Sequence, residues 1–436
     1  MKLVISLLLL AILPFGLFAQ KTYSTNEELL KEFMDMKFGM FVHWGPVSLE
    51  GTEIGWSRGR EIPAEEYDNL YKSFNPTKFN ADEWIKTAKD AGMKYFIITT
   101  RHHDGFSIWP TEYSDYDIAA TPYKKDVLME LKKACDKYDI LFGTYYSIND
   151  WKHKYYPLGS PGGKTKKETG DMDKFIPFIK GQTKELIEDY DTKILWFDGE
   201  WEEPWTHEMG QDLYQYLKNL DENILINNRV DKGRKGMEGI TISDEYAGDF
   251  ATPEQRVGTY DIENPWESCI TICRQWAWKP DDKMKSFEES LFTLLKTVGG
   301  DGNLLLNVGP MPDGRIEPRQ AARLKEIGDW LKKNDESIYG TTGGPYKPVD
   351  WLASTRKGNV IYIHLLNYNK KEVLLPFPYN AKIENCSLLN GEKLSYVFAN
   401  ENLVIKIPEN KKGQLVTTLK IKTNQNTTGF ETIELD

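Results

Sequence analysis

Cysteine is scarce in this chain. The four present in 436 residues, Cys135, Cys269, Cys273 and Cys386, are too few for a disulfide scaffold. Cys269 and Cys273 do not have a structural zinc spacing, and along a strand they would share a face yet lie too far apart to bridge easily. All four read as core residues. Positive charge is also in deficit: 55 Lys and Arg against 66 Asp and Glu leave a net charge of −11. That balance argues against nucleic acid and anionic membranes as partners, because phosphates reward clustered cations. The one dense basic run, from Lys164 to Lys167, adjoins Gly162 and Gly163 and reads as a solvated loop. There is no phosphate-binding glycine loop, internal repeat or low-complexity tract. Beyond Phe18 no segment is long and apolar enough to span a membrane.

What is present is more informative. Met1-Lys2, an apolar run from Leu3 to Phe18, and Ala19-Gln20 have the pattern of a secretory signal peptide over residues 1–20. Export to the periplasm or the medium is therefore expected, and with no Cys near the cleavage point a lipid anchor is not. Aromatic residues make up 13% of the chain, which suits either a large core or a site that stacks rings on sugar C–H faces.

Apolar, β-rich runs alternate with helical patterns through the first three quarters of the chain. Eight strands are predicted: Phe38–Trp44, Tyr95–Thr100, Ile140–Ser147, Ile194–Asp198, Ile224–Arg229, Gly239–Asp244, Cys269–Trp276 and Asn303–Val308. Helical spacing marks Asn80–Met93, Lys125–Tyr138, Lys174–Tyr190, Met209–Leu220, Met284–Val298 and Pro318–Asn334. Asn80 with Glu83 three residues later resembles a capping box. The alternation implies an irregular, TIM-like (β/α)8 barrel, because the 229–239 link is short and Tyr246–Pro265 is loop-like. After Gly343–Pro348 only strand patterns remain, from Val360 to Ile421, as in an antiparallel β-sandwich. The expected division is 1–20 signal peptide, 21–345 barrel and 346–436 sandwich domain.

Barrel sites form at the C-terminal ends of the strands. Here those ends carry His43-Trp44, Arg101-His102-His103-Asp104, Tyr145-Tyr146, Trp196-Phe197-Asp198, Asn228-Arg229, Asp244-Glu245, Trp276 and Asn307. Three of the chain's six histidines fall among them. Each residue alone could be a local structural group; their convergence points to a site. Asp198 closes a buried strand, where an unpaired carboxylate would be costly, and Arg229 from the next strand is the expected partner. Carboxylates, His, Tyr, Trp and Arg together suit glycoside hydrolysis, which needs two carboxyl groups. Glu254, aimed by Pro253, is one candidate for the second carboxyl; Glu267 is the rival, and Glu200, Glu202, Glu203 and Glu263 are weaker.

These segments resemble the α-L-fucosidases of glycoside hydrolase family 29. The resemblance rests on KFGMFVHWG (37–45), RHHDGF (101–106), FGTYYS (142–147), LWFDG (195–199), PWESC (265–269) and GGDGNLLLNVGPMPDG (299–314), in order through residues 30–340. It implies a retaining, exo-acting enzyme that removes terminal α-linked L-fucose from glycans or oligosaccharides through a covalent fucosyl-enzyme. Asp198 would be the nucleophile, and Glu254, favoured over Glu267, the acid/base. It also implies sugar contacts from His43, His102, His103, Tyr145, Trp196 and Arg229, with Trp276 against the fucose methyl group. After the first strand the family pattern is altered, with Glu53 and Trp56 three apart, and Trp56 is the favoured contact. No cofactor or metal is expected.

Two other classes stay open at this stage. Reading His43, His102, His103, Asp104 and Asp198 as ligands gives a metal-dependent hydrolase. If His102 and His103 still belong to a strand, they point to opposite faces, and one ion could hardly take both. A non-catalytic glycan binder would not need Asp198 and a second carboxyl. Within the same mechanism, a galactose-like ring would differ from fucose by one weak contact.

Overall fold

The structure is a computed structural model, and it describes residues 26–435. The expected signal peptide lies outside the described residues. Seven parallel strands form one sheet: β1 (Phe38–Val42), β2 (Tyr95–Arg101), β3 (Leu141–Ser147), β4 (Ile194–Asp198), β5 (Leu225–Ile226), β6 (Glu267–Thr271) and β7 (Asn303–Val308). Their order is β5-β4-β3-β2-β1-β7-β6, which leaves β5 and β6 at the edges. The segment 250–254 lies between those edges. Single parallel bridges join Asn227 to Phe250, Ala251 to Trp266 and Glu254 to Cys269. Gln255 N donates to Cys269 O and Cys269 N to Pro253 O, at 2.9 and 3.0 Å.

This arrangement corrects two expectations. Gly239–Asp244 is not a strand: Ile240 and Ile242 are exposed, and Gly239 stands at positive φ after a short 3₁₀ turn. Its alternating apolar pattern belongs to a surface excursion, and 250–254 takes the sixth position instead. The strand expected over Cys269–Trp276 starts two residues earlier and stops at Thr271, so Trp276 lies in the following loop and Glu267 opens the strand.

The six predicted helices form at Ala81–Asp90, Val127–Tyr138, Met172–Glu188, His207–Leu220, Phe287–Gly299 and Pro318–Leu331. Five are capped by a polar residue just before the first turn: Asn80, Asp126, Asp171, Thr206 and Ser286. Asn80 accepts from Glu83 N at 3.2 Å, while the two-way capping box forms at Ser286 and Glu289. A further helix, Glu27–Met36, closes the N-terminal end of the barrel. Its Phe33 packs on Tyr95 and Phe250 with ring centroids 5.1 and 5.0 Å away. Inside the barrel, Phe41, Ile97, Tyr145, Trp196, Phe250, Cys269 and Leu305 form a separate buried cluster. The floor is tight: a Cβ at Gly39 would stand 2.3 Å from the Tyr95 ring, so only glycine leaves room there.

The C-terminal region is two antiparallel sheets. β8 (Thr342–Gly343), β9 (Leu352–Lys357), β10 (Val360–Leu366), β12 (Ile383–Leu388) and β15 (Val416–Thr423) form one, ordered β12-β15-β10-β9-β8. β11 (Glu372–Pro376), β13 (Tyr396–Ala399) and β14 (Asn402–Lys406) form the other. They enclose a core of their own that includes Leu352, Ile361, Ile363, Leu375, Leu403 and Leu419. The helix Phe287–Gly299 packs against β9 and ties the sandwich to the barrel. No helix among the described residues is long and apolar enough to cross a membrane. The four cysteines are free and buried.

Candidate active site

The C-terminal ends of the strands gather the charged groups. Asp198 closes β4 and is 8% exposed. Arg229 follows β5 in a 3₁₀ turn, buried, with its guanidinium on the face of Trp196 at 4.5 Å. Arg229 Nη1 donates to Asp198 Oδ1 at 2.6 Å, and Nη2 lies 2.9 Å from Glu254 Oε2. One guanidinium thus holds both carboxylates. Arg229 Nε is fixed in turn by Thr252 Oγ1 at 2.9 Å, from the same broken strand that ends in Glu254. Tyr145 Oη donates to Asp198 Oδ2 at 2.9 Å, and His103 Nε2 lies 3.6 Å from that oxygen. Burial pushes the Asp198 carboxyl up, but Arg229 and then His103 and Arg234 outweigh it and hold it below the ordinary value.

Three imidazoles stand beside Asp198. Asn307 fixes His43 Nδ1 at 2.6 Å, and Ser147 fixes His103 Nδ1 at 2.6 Å. His102 lies parallel to Tyr145 at 5.4 Å, and its Nδ1 is buried with no partner. Burial lowers His43 to about 3 and His103 to about 4, and drives His102 well below the ordinary imidazole value. All three are neutral near pH 7, so each offers one N–H donor and one lone pair, the pattern that suits hydroxyl groups. Gly55, at positive φ, allows the 50s loop to press on this cluster: a Cβ there would lie 2.6 Å from His102 Nδ1.

Aromatic rings wall the cluster. Trp276 lies 4.7 Å from the His43 ring. Its backbone N–H, with that of Ala277, donates to Glu53 at 3.0 and 3.1 Å, so Glu53 holds the Trp276 loop. Trp56 meets His103 edge-on at 5.5 Å and stacks on Trp201 at 6.3 Å. Glu200, expected only as a weaker candidate for the second carboxyl, is paired with Arg234 at 2.6 Å, and its neighbour Trp201, 41% exposed, was not anticipated. The signal for Trp201 was available in the sequence, since it stands two residues after Gly199, the end of LWFDG.

His43, Trp56, His102, His103, Tyr145, Trp196, Asp198, Arg229, Glu254 and Trp276 lie in or around this gathering, whereas Glu203, Asp244, Glu245 and Glu263 are exposed and Glu267 lies apart. Glu267 opens β6, at the barrel floor, fully buried. Its Oε2 accepts from Tyr95 Oη at 2.5 Å and its Oε1 from Trp196 Nε1 at 3.0 Å. Glu202 is likewise anchored, by Trp151 at 3.0 Å and Tyr156 at 2.5 Å. Asp104 lies behind the histidines, bound by Tyr67 Oη at 2.6 Å.

β2 stops at Arg101, so strand alternation does not apply to His102 and His103, whose ring centroids are 4.1 Å apart. Ligand atoms of His102, His103 and Asp198 lie within 4.8 Å of one another. Asp198, however, already has one oxygen on Arg229 and the other on Tyr145. A dication there would sit against a guanidinium and compete with both bonds, so the donor set fits a metal poorly.

A family model described as Alpha-L-fucosidase matches residues 17–336. Plasma alpha-L-fucosidase of Pongo abelii is 28% identical over 413 residues, covering 86% of each chain. Alpha-L-fucosidase isoenzyme 1 of Paenibacillus thiaminolyticus superposes with a TM-score of 0.82 at 31% identity, over 92% of this chain and 99% of that one. A Bacteroides thetaiotaomicron α-L-fucosidase of family GH29, trapped as a covalent intermediate with 2-fluoro-fucosyl fluoride, gives 0.82 at 29% identity, over 93% and 99%.

Proposed function

The chain belongs to the α-L-fucosidase family, and from that premise we propose that it is a retaining, exo-acting α-L-fucosidase with Asp198 as nucleophile and Glu254 as acid/base. The observation that carries this reading is the single guanidinium of Arg229 bonded to both carboxylates. Retaining glycosidases place their two carboxyls about 5–5.5 Å apart, on either side of the anomeric centre. Asp198, kept ionised by Arg229, attacks the anomeric carbon while Glu254 protonates the glycosidic oxygen. The leaving sugar departs and a fucosyl ester on Asp198 remains. Glu254, now ionised, then takes a proton from the water that cleaves the ester, and the configuration is retained overall.

The neutral His43, His102 and His103 hydrogen-bond the sugar hydroxyls, and Trp276 covers the C5 methyl group. Trp196 and Tyr145 support the charged pair, and Trp56 stands at the rim. Glu254 is favoured over Glu267 because it ends a barrel segment on the Arg229 side, whereas both oxygens of Glu267 are committed at the floor. The substrate is a terminal α-linked L-fucose of a glycan or oligosaccharide. Residues 1–20 are proposed to direct export, to the periplasm or the medium, with the barrel ending near 345 and the sandwich following. The test is turnover of an aryl α-L-fucoside followed by NMR. The first product is α-fucose if the reading holds and β-fucose if it fails. N-terminal sequencing of the exported protein tests the signal cleavage.

A further inference from the structure

The buried carboxyl at the barrel floor is linked by contacts to both proposed catalytic groups. Glu267 accepts the indole N–H of Trp196 at 3.0 Å, and the face of that indole carries the Arg229 guanidinium at 4.5 Å. Arg229 then reaches Asp198 at 2.6 Å and Glu254 at 2.9 Å. Tyr95 holds the other Glu267 oxygen at 2.5 Å, and Tyr95 is itself wedged over Gly39 and against Phe33. The floor therefore clamps the carboxyl, the carboxyl sets the indole plane, and the plane sets the height of the guanidinium. We propose that Glu267 is a positioning residue of the fucosidase reaction, fixing the Trp196 ring on which Arg229 spaces the two carboxylates.

This inference rests on the assignment of Asp198 and Glu254. Glu267 itself is out of reach of substrate, being fully buried with both oxygens bonded. The role does not require a negative charge. The ionisable groups that bear on Glu267 are Tyr95, Cys269 and Arg229, and burial raises its carboxyl to about 7. A neutral side chain that accepts from Trp196 and meets the Tyr95 hydroxyl would serve.

The experiment compares Glu267→Gln and Glu267→Leu in the full chain, with kcat and KM measured across pH on two aryl fucosides, one with a good and one with a poor leaving group. Glutamine keeps an acceptor for Trp196; leucine removes it. The expected result is that Glu267→Leu lowers kcat on the order of 100-fold on both substrates, the size of loss when a catalytic group is misplaced by about 1 Å. The acid limb of kcat/KM, which reports Asp198, moves upward because Arg229 is displaced. Glu267→Gln restores the limb and most of the rate. Where the leucine variant does not fold, Trp196→Phe, which keeps a ring and drops the N–H, is expected to give the same shift. Two results would overturn the proposal. One is wild-type kinetics and pH profile in the leucine variant, or in Trp196→Phe where it stands in. The other is a Glu267→Gln loss confined to the poor leaving group and rescued by azide, which would make Glu267 the acid/base. Glu254→Gln, assayed alongside, separates the two readings: selective loss on the poor leaving group is expected there, and its absence would sink the Glu254 assignment while leaving the Gln-against-Leu comparison at position 267 valid.

Discussion

The two ends of the barrel hold similar residues in opposite ways. At the mouth, the buried Asp198 and Arg229 and the partly exposed Glu254 form one charged group, with neutral histidines beside it. At the floor, Glu267, Tyr95, Asn303 and Phe33 are locked to one another and to the plugging helix; Asn303 Nδ2, for example, donates to Phe33 O at 2.7 Å. In the proposed reading, carboxyls act on substrate at one end and a carboxyl positions them from the other. What separates them is the donor: both oxygens of Glu267 are bonded by neutral groups, while Asp198 and Glu254 share the Arg229 cation.

The comparison is tested most severely at Asp198. Asp198→Ala is expected to lower kcat by about 10⁴–10⁶-fold, the scale of losing a nucleophile, while the circular dichroism spectrum is unchanged. Glu254→Gln should cost about 10²–10⁴-fold on substrates with poor leaving groups, much less on good ones, with azide restoring turnover. The floor should respond in the other currency. Phe33→Ala should destabilise the protein by about 3–5 kcal/mol in denaturant melts, with a smaller fall in kcat per folded molecule than Glu267→Leu. At the wall, Trp276→Leu should raise KM on the order of tenfold with little change in kcat.

The smallest expected effect is in pH dependence. Glu267 has its folded value raised to about 7 by burial, above the unfolded carboxyl value. Between the two values the folded state holds the proton and the unfolded state does not, so stability falls as pH rises through that window. Asp198 is lowered in the folded state, so its contribution is present above the unfolded value and is lost as pH falls through the folded one. Glu267→Gln should therefore gain melting temperature relative to the parent as pH rises from the unfolded carboxyl value to about 7, as followed by calorimetry. A flat difference would break the contrast between the two ends.

Legibility in the sequence followed the regularity of the barrel. The strands β1–β4 and β7 are continuous apolar runs, and the polar residues at their ends pointed to His43, His102, Tyr145, Asp198 and Asn307. The side between β5 and β6 was opaque for physical reasons. Residues 250–254 pair through single bridges and include Pro253, which has no N–H to donate, so no period marks them as a strand. Ile240 and Ile242 alternate like strand residues yet face solvent. The two-residue shift of β6 moved Glu267 from an expected loop to the barrel floor, which no local pattern reveals. The hold of Thr252 on Arg229 is a long-range contact between polar residues and leaves no trace in spacing. His102 and His103 point into one cluster because the strand ends one residue before them.

The most direct test is covalent trapping. Incubation with 2-fluoro-fucosyl fluoride, followed by proteolysis and mass spectrometry, should place one fluorofucosyl group on the carboxylate of Asp198. A label on any other side chain, or no label alongside a β-fucose first product, would contradict the assignment.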